Sequence, residues 1–448
     1  MAKSDKRFIC NACDAQTVKW QGNCPQCHEW NTIEEQTTSA SVTPMARPGS
    51  TVALANLASI ATMPTKRMLS GIKEWDRVTG GGIMPASFVI LTGDPGIGKS
   101  TLLLQVAHAI SLNHTVIYFS SEESLEQVKL RAQRLDCGST EILFSDNANL
   151  DDIITTAEQA KPQLVIIDSI QNCYTSSAQT LPGSTGQVKE SAFRLMRLAK
   201  EQGIAVMVSG HITKDGLMAG PKTLEHMVDA AFYLQGEDRW QTRMLRAVKN
   251  RFGTVNELGF FEMHEQGLQE MPNINQQLLE EISNNPGSTL VSSIEGTRPL
   301  LIELQALTVP TKFTMPQRIV SGIEQNQVLL IAAILEKHLH IKMSQHDIFF
   351  RVSGGFKIKG SSADLGIALA LLSSYFQQPL PEKSVALGEI SLTGQIKPIN
   401  HFGIHLGEAE KFGINRVFTA KNQKFESSSC TVKRFGSVYE LLALFPAP

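Results

Sequence analysis

The sequence predicts an α/β fold built around a mostly parallel sheet, with a small metal-held module before it and an α+β domain after it. Three observations predict this. Residues 93–101 read GDPGIGKST, set between an apolar strand-like run (87–92, SFVILT) and a helical run with one apolar face (102–110, LLLQVAHAI). Strand-like runs alternate with helical patterns between residues 54 and 271, the pattern of a parallel sheet with helices on its faces. Four of the seven cysteines form two C-x-x-C pairs near the N-terminus.

The N-terminal pairs are Cys10 with Cys13 and Cys24 with Cys27. Four thiolates at this spacing close one tetrahedral Zn²⁺ site. About 30 residues cannot bury enough apolar surface to fold alone, so the metal supplies the folding energy. The expected zinc ribbon spans residues 1–33, and Cys137, Cys173 and Cys430 are expected to be buried hydrophobes. Residues 34–53 are rich in Thr, Ser, Ala and Pro (EEQTTSASVTPMARPGST) and read as a flexible linker.

The core is expected over residues 54–272, with strands at 87–91, 116–120, 164–167, 205–209 and 230–234. Residues Gly93, Asp94, Pro95, Gly96, Ile97, Gly98, Lys99, Ser100 and Thr101 form a phosphate-binding loop. Its glycines let backbone N–H groups turn toward an anion, and the following helix aims its positive N-terminus at the same point. Lys99 reaches the terminal phosphates and Ser100 offers a hydroxyl to Mg²⁺, so the loop implies binding and hydrolysis of a nucleoside triphosphate such as ATP.

Further residues complete that chemistry. The run LVIID ends at Asp168, a carboxylate carried to the edge of a buried strand where it serves Mg²⁺ or its waters. The run VIYFSS leads to Glu122 and Glu123; a carboxylate at a strand tip orients the attacking water. Glu122 is preferred, with Glu123 the open alternative. Lys249 and Arg251 follow a strand-like stretch over 242–248. Two cations two residues apart on a strand share a face and suit the developing charge on a γ-phosphate.

A second break, ISNNPG, falls at 282–287, and the linker is expected over 273–288. The last domain, 289–448, mixes strands near 300–304 and 348–352 with helices over 328–338 and 363–376. The net charge of −2 excludes binding of nucleic acid by bulk charge and demands a local patch. The longest apolar run, VLLIAAIL at 328–335, is far short of the ~18–20 residues of a membrane-spanning helix, so no membrane association is expected. The N-terminus, MAKSDKRF, has no apolar secretory stretch, which predicts a cytoplasmic protein.

Together these residues resemble the bacterial RadA (Sms) DNA-repair family. The resemblance rests on the C-x-x-C pairs with Trp30 and Asn31 behind them, and on 93–101 and 164–171. It rests equally on GHITKDG at 210–216 leading into AGPKTLEHMVD at 219–229, on KNRFG at 249–253 and on EGTRP at 295–299. It implies a RecA-like ATPase core assembled as a homo-hexameric ring similar to the DnaB-type replicative helicase. It also implies ATP-driven movement on single-stranded DNA and branch migration of branched recombination intermediates with the RecA filament. Under this resemblance Lys99, Ser100 and Asp168 match the nucleotide and metal positions and Glu122 the catalytic carboxylate. Lys249 and Arg251 match the pair acting in trans on a neighbouring subunit's ATP. The Gly-rich basic segment 210–222 resembles a DNA-contacting loop, with Lys214 and Lys222 on the phosphates.

The C-terminal domain resembles the proteolytic domain of Lon, whose chemistry needs a Ser/Lys pair. Ser362 falls at the nucleophile position, but Gly403 stands where the lysine belongs. The alternative reading, an ATP-dependent Ser/Lys protease, is disfavoured on that ground. Ser362 is expected instead to cap a helix over 363–376, and Lys342, Arg351, Lys357 and Lys359 to offer basic surface to DNA.

Overall fold

The computed structural model describes residues 6–10, 15–26, 29–30, 32–37, 66–138, 141–176, 183–211, 223–236, 241–280 and 282–445. The chain divides into two compact units, residues 1–236 with 241–270 and residues 237–240 with 271–448.

At the start of the first unit, β1 (Lys6–Cys10), β2 (Gln16–Thr17) and β3 (Ile33–Thr37) form a three-stranded antiparallel sheet in the order β2-β1-β3.

The core begins with α1 (Lys73–Thr79) and then alternates. Its parallel strands are β4 (Phe88–Gly93), β5 (Val116–Ser120), β6 (Leu143–Ser145), β7 (Leu164–Asp168), β8 (Ala205–His211) and β9 (Ala230–Gly236). Between them lie α2 (Lys99–Ser111), α3 (Leu125–Arg134), α4 (Leu150–Ala160), α5 (Thr185–Gln202) and α6 (Thr223–Met227). Three antiparallel strands, β10 (Thr242–Asn250), β11 (Leu258–His264) and β12 (Gly267–Glu270), extend one side. The nine strands run in the order β12-β11-β10-β9-β4-β8-β7-β5-β6.

Local sequence signals start and stop the helices. Ser124 caps α3 in a reciprocal capping box with Gln127, Asn149 accepts from the N–H of Asp151 at α4, and Ser184 accepts from Gln187 at α5. Each satisfies a backbone donor that the helix itself leaves unpaired.

Side-chain alternation divides the sheet into two faces. Val89, Leu91, Val116, Tyr118, Leu164, Ile166, Ala205 and Met207 pack with Leu102, Leu103 and Val106 of α2. Their neighbours Phe88, Ile90, Ile117, Phe119, Val165, Ile167, Val206 and Val208 pack with α4 and α5. Period-2 alternation in strands apolar on both faces gives a sheet sandwiched between helices. Each fully buried large side chain contributes about 1.5–3 kcal/mol.

The second unit contains α7 (Ile274–Glu280), β13 (Ser288–Glu295), β14 (Arg298–Pro310), β15 (Arg318–Ser321), α8 (Gln325–Leu339) and β16 (His346–Val352). It continues with α9 (Asp364–Phe376), β17 (Ser384–Leu387), β18 (Glu389–Ile390), β19 (Ile396–Lys397), α10 (Phe402–Lys411), β20 (Arg416–Ala420) and β21 (Thr431–Phe435). Seven strands form one mixed sheet in the order β15-β16-β14-β13-β17-β20-β21, so this unit is the α+β body the sequence predicts.

Two local expectations are corrected. The residue preceding α9 is Ala363, and no side chain caps the helix. Ser361, Ser362 and Ala363 form a 3₁₀ turn instead, and the N–H of Leu365 is taken by the carbonyl of Gly388. That backbone bond takes the role expected of Ser362. Likewise β10 ends at Asn250 with a bulge between Ala247 and Lys249, so Lys249 lies in the strand and Arg251 in the turn beyond it.

Candidate nucleotide-binding site

The phosphate-binding loop leaves β4 and enters α2. Gly98 precedes the helix at φ +112°, a region side chains rarely adopt. A Cβ on Gly93 would stand 2.3 Å from the Leu234 carbonyl oxygen, so the adjacent strand tolerates only glycine there. Lys99 folds back over the loop, its Nζ donating to the carbonyls of Gly93 (3.0 Å) and Asp94 (2.9 Å). Burial lowers its pKa, opposed by the charges of Asp168, Glu122 and Asp94. A buried ammonium in the field of three carboxylates is a strong electrostatic seat for a phosphate and its cation.

Asp168 ends β7, buried at 7% exposure. The Tyr118 hydroxyl donates to its Oδ2 at 2.9 Å and the Ser209 hydroxyl donates to its Oδ1. Its neighbour Ser169 donates to Glu122 through its hydroxyl, and the Ser169 N–H donates to the Ser121 hydroxyl at 2.8 Å. Glu122 is therefore tied to the strand end that carries Asp168. Glu123 diverges and pairs with Arg131 on α3. Of the two carboxylates the sequence leaves open, Glu122 is the one that shares the field of Lys99.

Lys249 and Arg251 lie elsewhere. Asn250 pairs with Ala230 of β9, and Ala230 pairs with Val89 of β4. Gly93 lies four residues further along β4, so the two cations sit at the opposite strand edge, about 13 Å of strand away from the loop. Lys249 Nζ donates to the carbonyl of Glu225 at 2.6 Å, and Arg251 Nη1 lies 3.5 Å from Asp229 Oδ1. β8 ends at His211, in register with Gly93, so the chain leaves for residues 212–222 at the phosphate-loop edge. Lys214 and Lys222 lie outside the described residues.

In the ribbon, Cys10 and Cys24 share a buried cluster with Ile33. Cys10 N–H donates to the Ala15 carbonyl at 3.0 Å and Cys24 N–H to the Glu29 carbonyl at 2.9 Å. Cys13 and Cys27 lie outside the described residues. Two buried cysteines in one cluster, one from each C-x-x-C pair, fit half of a zinc site.

In the second unit, a Cβ at Gly403 would meet nothing within 4 Å, and among the described residues no lysine bonds Ser362. His405, two residues on, is buried and its Nδ1 lies 2.8 Å from the Ser292 hydroxyl. Arg351, Lys357 and Lys359 are exposed while Val352, Phe356 and Ile358 between them are buried. Among the described residues no helix is long and apolar enough to cross a membrane.

Comparison with known proteins matches residues 62–217 to the AAA domain, residues 8–35 to the rubredoxin metal binding domain and residues 321–423 to subunit ChlI of Mg-chelatase. The DNA repair protein RadA of Listeria monocytogenes is 42% identical over 94% of this chain and 93% of its own length. That of Brucella abortus is 43% identical over 93% and 92%, and that of Escherichia coli 41% over 93% and 93%. The chain belongs to the RadA family of DNA repair proteins. Its core is accordingly the RecA-like phosphate-loop ATPase domain of that family, with the family's N-terminal zinc ribbon. A solved structure, that of a DnaB-like replicative helicase, aligns with 46% of this chain and 62% of its own at 19% identity and a TM-score of 0.42.

Sequence reasoning missed Tyr118, Ser121, Ser169 and Ser209. Their signal is a polar residue interrupting an aliphatic strand or following its end (VIYFSS, LVIIDS, AVMVSG).

Proposed function

We propose that this chain is a DNA-dependent ATPase of recombinational repair. It works as a hexameric ring on single-stranded DNA and promotes branch migration of branched intermediates together with the RecA filament. The observation that carries this reading is the separation of Lys249 and Arg251 from their own phosphate loop across the length of β4. Cations so placed cannot reach the ATP of their own subunit. Arg251 is exposed enough to serve another, with 62% of its side chain in solvent, and Lys249 beside it is half-buried, its Nζ donating to the Glu225 carbonyl. Completing each site across a subunit boundary makes hydrolysis conditional on neighbour position, which is how a ring converts ATP into movement.

Within one subunit, residues 93–101 cradle the triphosphate, Lys99 neutralises the terminal phosphates, and Ser100 with Asp168 would hold Mg²⁺. That hydroxyl and carboxylate are the hard oxygen donors Mg²⁺ prefers. When bound, Mg²⁺ neutralises charge on the transferring phosphoryl group. Glu122, fixed by Ser169, orients the attacking water. Segment 210–222 begins in the last residues of β8, level with the loop, and its Lys214 and Lys222 contact DNA phosphates. The ribbon closes on Zn²⁺ through Cys10, Cys13, Cys24 and Cys27. The second unit is inactive as a peptidase and offers Lys342, Arg351, Lys357 and Lys359 to DNA. The protein acts in the cytoplasm.

The deciding experiment is ATP hydrolysis by the full chain with and without single-stranded DNA, with Lys99→Ala as the blank. Strong stimulation that vanishes in the variant is expected. Turnover indifferent to DNA would overturn the motor reading and direct attention to a protein effector.

A further inference from the structure

We propose that Tyr118 is a positioning residue of the nucleotide site: its buried hydroxyl fixes Asp168 in the orientation in which that carboxylate takes up a divalent cation. The proposal rests on the reading of Asp168 as a magnesium residue.

Geometry carries it. In the sheet β7 lies between β8 and β5. Ser120 pairs with Asp168, so Tyr118 stands two residues back along β5, opposite Ile166. Tyr118, Ile166 and Met207 all face the α2 side, and the period of two carries Asp168 and Ser209 to that same face. Two donors from the flanking strands therefore converge on one carboxylate, the Tyr118 hydroxyl on Oδ2 at 2.9 Å and the Ser209 hydroxyl on Oδ1.

Tyr118 is only 2% exposed, in a strand whose other residues through Phe119 are apolar. A phenylalanine would satisfy packing equally well. Burying the hydroxyl costs free energy unless it is paired, and its partner is Asp168. An ionised carboxylate has about four acceptor sites. One donor on each oxygen fixes the plane of the group and leaves the remaining lone pairs for a cation and its waters. Partners of this kind set the orientation of metal ligands, and losing one costs roughly 10–100-fold in metal affinity.

The test uses the full-length protein and Mn²⁺ as the probe. Tyr118→Phe is titrated with Mn²⁺ by electron paramagnetic resonance in the presence of a non-hydrolysable ATP analogue, and analogue affinity is measured separately without metal. The expected result is a loss of Mn²⁺ affinity of about tenfold or more, with metal-free nucleotide affinity unchanged. Unchanged Mn²⁺ affinity with a lowered Tm would make Tyr118 a core residue and overturn the proposal. Asp168→Asn is run beside it: if that variant binds Mn²⁺ like wild type, the magnesium reading of Asp168 fails, independently of Tyr118.

If Tyr118→Phe does not fold, wild type carrying 3-fluorotyrosine at its five tyrosines gives the answer. Tyr118 is the one buried tyrosine among them, so its ¹⁹F resonance is the one a soluble paramagnetic relaxant broadens least. That resonance is expected to shift when Mg²⁺ is added with the analogue, and its indifference to Mg²⁺ would overturn the proposal.

Discussion

Arg251 and Gly93 stand at opposite edges of one sheet. The N–H of Arg251 bonds the carbonyl of Asp229, the N–H of Asp229 bonds the carbonyl of Phe88, and Phe88 begins the strand that Gly93 ends. A single chain thus carries a phosphate-binding loop and a pair of cations that cannot meet.

Arg251→Ala is therefore expected to bind ATP normally and lose turnover by about 10³-fold or more, the scale of a missing arginine finger. Mixing it with Lys99→Ala subunits should restore activity, because each variant supplies what the other lacks. The check is ATP hydrolysis across mixing ratios; a linear curve without recovery argues against action in trans.

Glu122 and Glu123 separate cleanly. Glu122→Gln should keep nucleotide binding and abolish hydrolysis. Glu123→Gln loses only the partly exposed pair with Arg131, a contact worth about 0.2–1 kcal/mol, and should turn over near the wild-type rate. Steady-state hydrolysis beside an ATP-binding isotherm distinguishes them.

Cys24→Ser should lower bound zinc below one equivalent and unfold the ribbon, since the buried cluster among its described residues is Cys10, Cys24 and Ile33 with Phe8 and Ala15 against it and so small a module relies on the metal for folding. Elemental analysis of the purified variant measures this. Full zinc occupancy would end the assignment.

His405 gives the second unit a pH dependence. Burial first, and the nearby His401 second, depress its pKa from 6.5 to about 4. The unfolded chain then binds a proton that the native state refuses. The stability contributed by the neutral ring is complete above pH 6.5 and is lost as pH falls toward 4, by up to about 1.4 kcal/mol per pH unit. His405→Gln should flatten that slope in thermal melts between pH 7 and 4. An unchanged slope would show that His405 does not titrate in this window.

Much of this was legible in the residues themselves. The strand–loop–helix around Lys99, the aliphatic run to Asp168 and the paired cysteines are local patterns, and their chemistry follows from spacing. Ser362 shows the limit: a serine ahead of an apolar helix is a good cap by sequence, yet the carbonyl of Gly388, distant in the chain, takes the donor instead. The sequence prefers Glu122 but leaves Glu123 open, and the contacts with Ser169 and Arg131 tell them apart.

The sequence by itself determined the class of fold and the family, because these are carried by short contiguous segments whose geometry is set locally. The tertiary structure decided which groups meet. Strand order brought Tyr118 and Ser209 onto Asp168 from either side, and antiparallel pairing of β10 carried Lys249 and Arg251 away from the loop. Strand order and direction are long-range properties, fixed by packing of both sheet faces at once, and no window of sequence contains them.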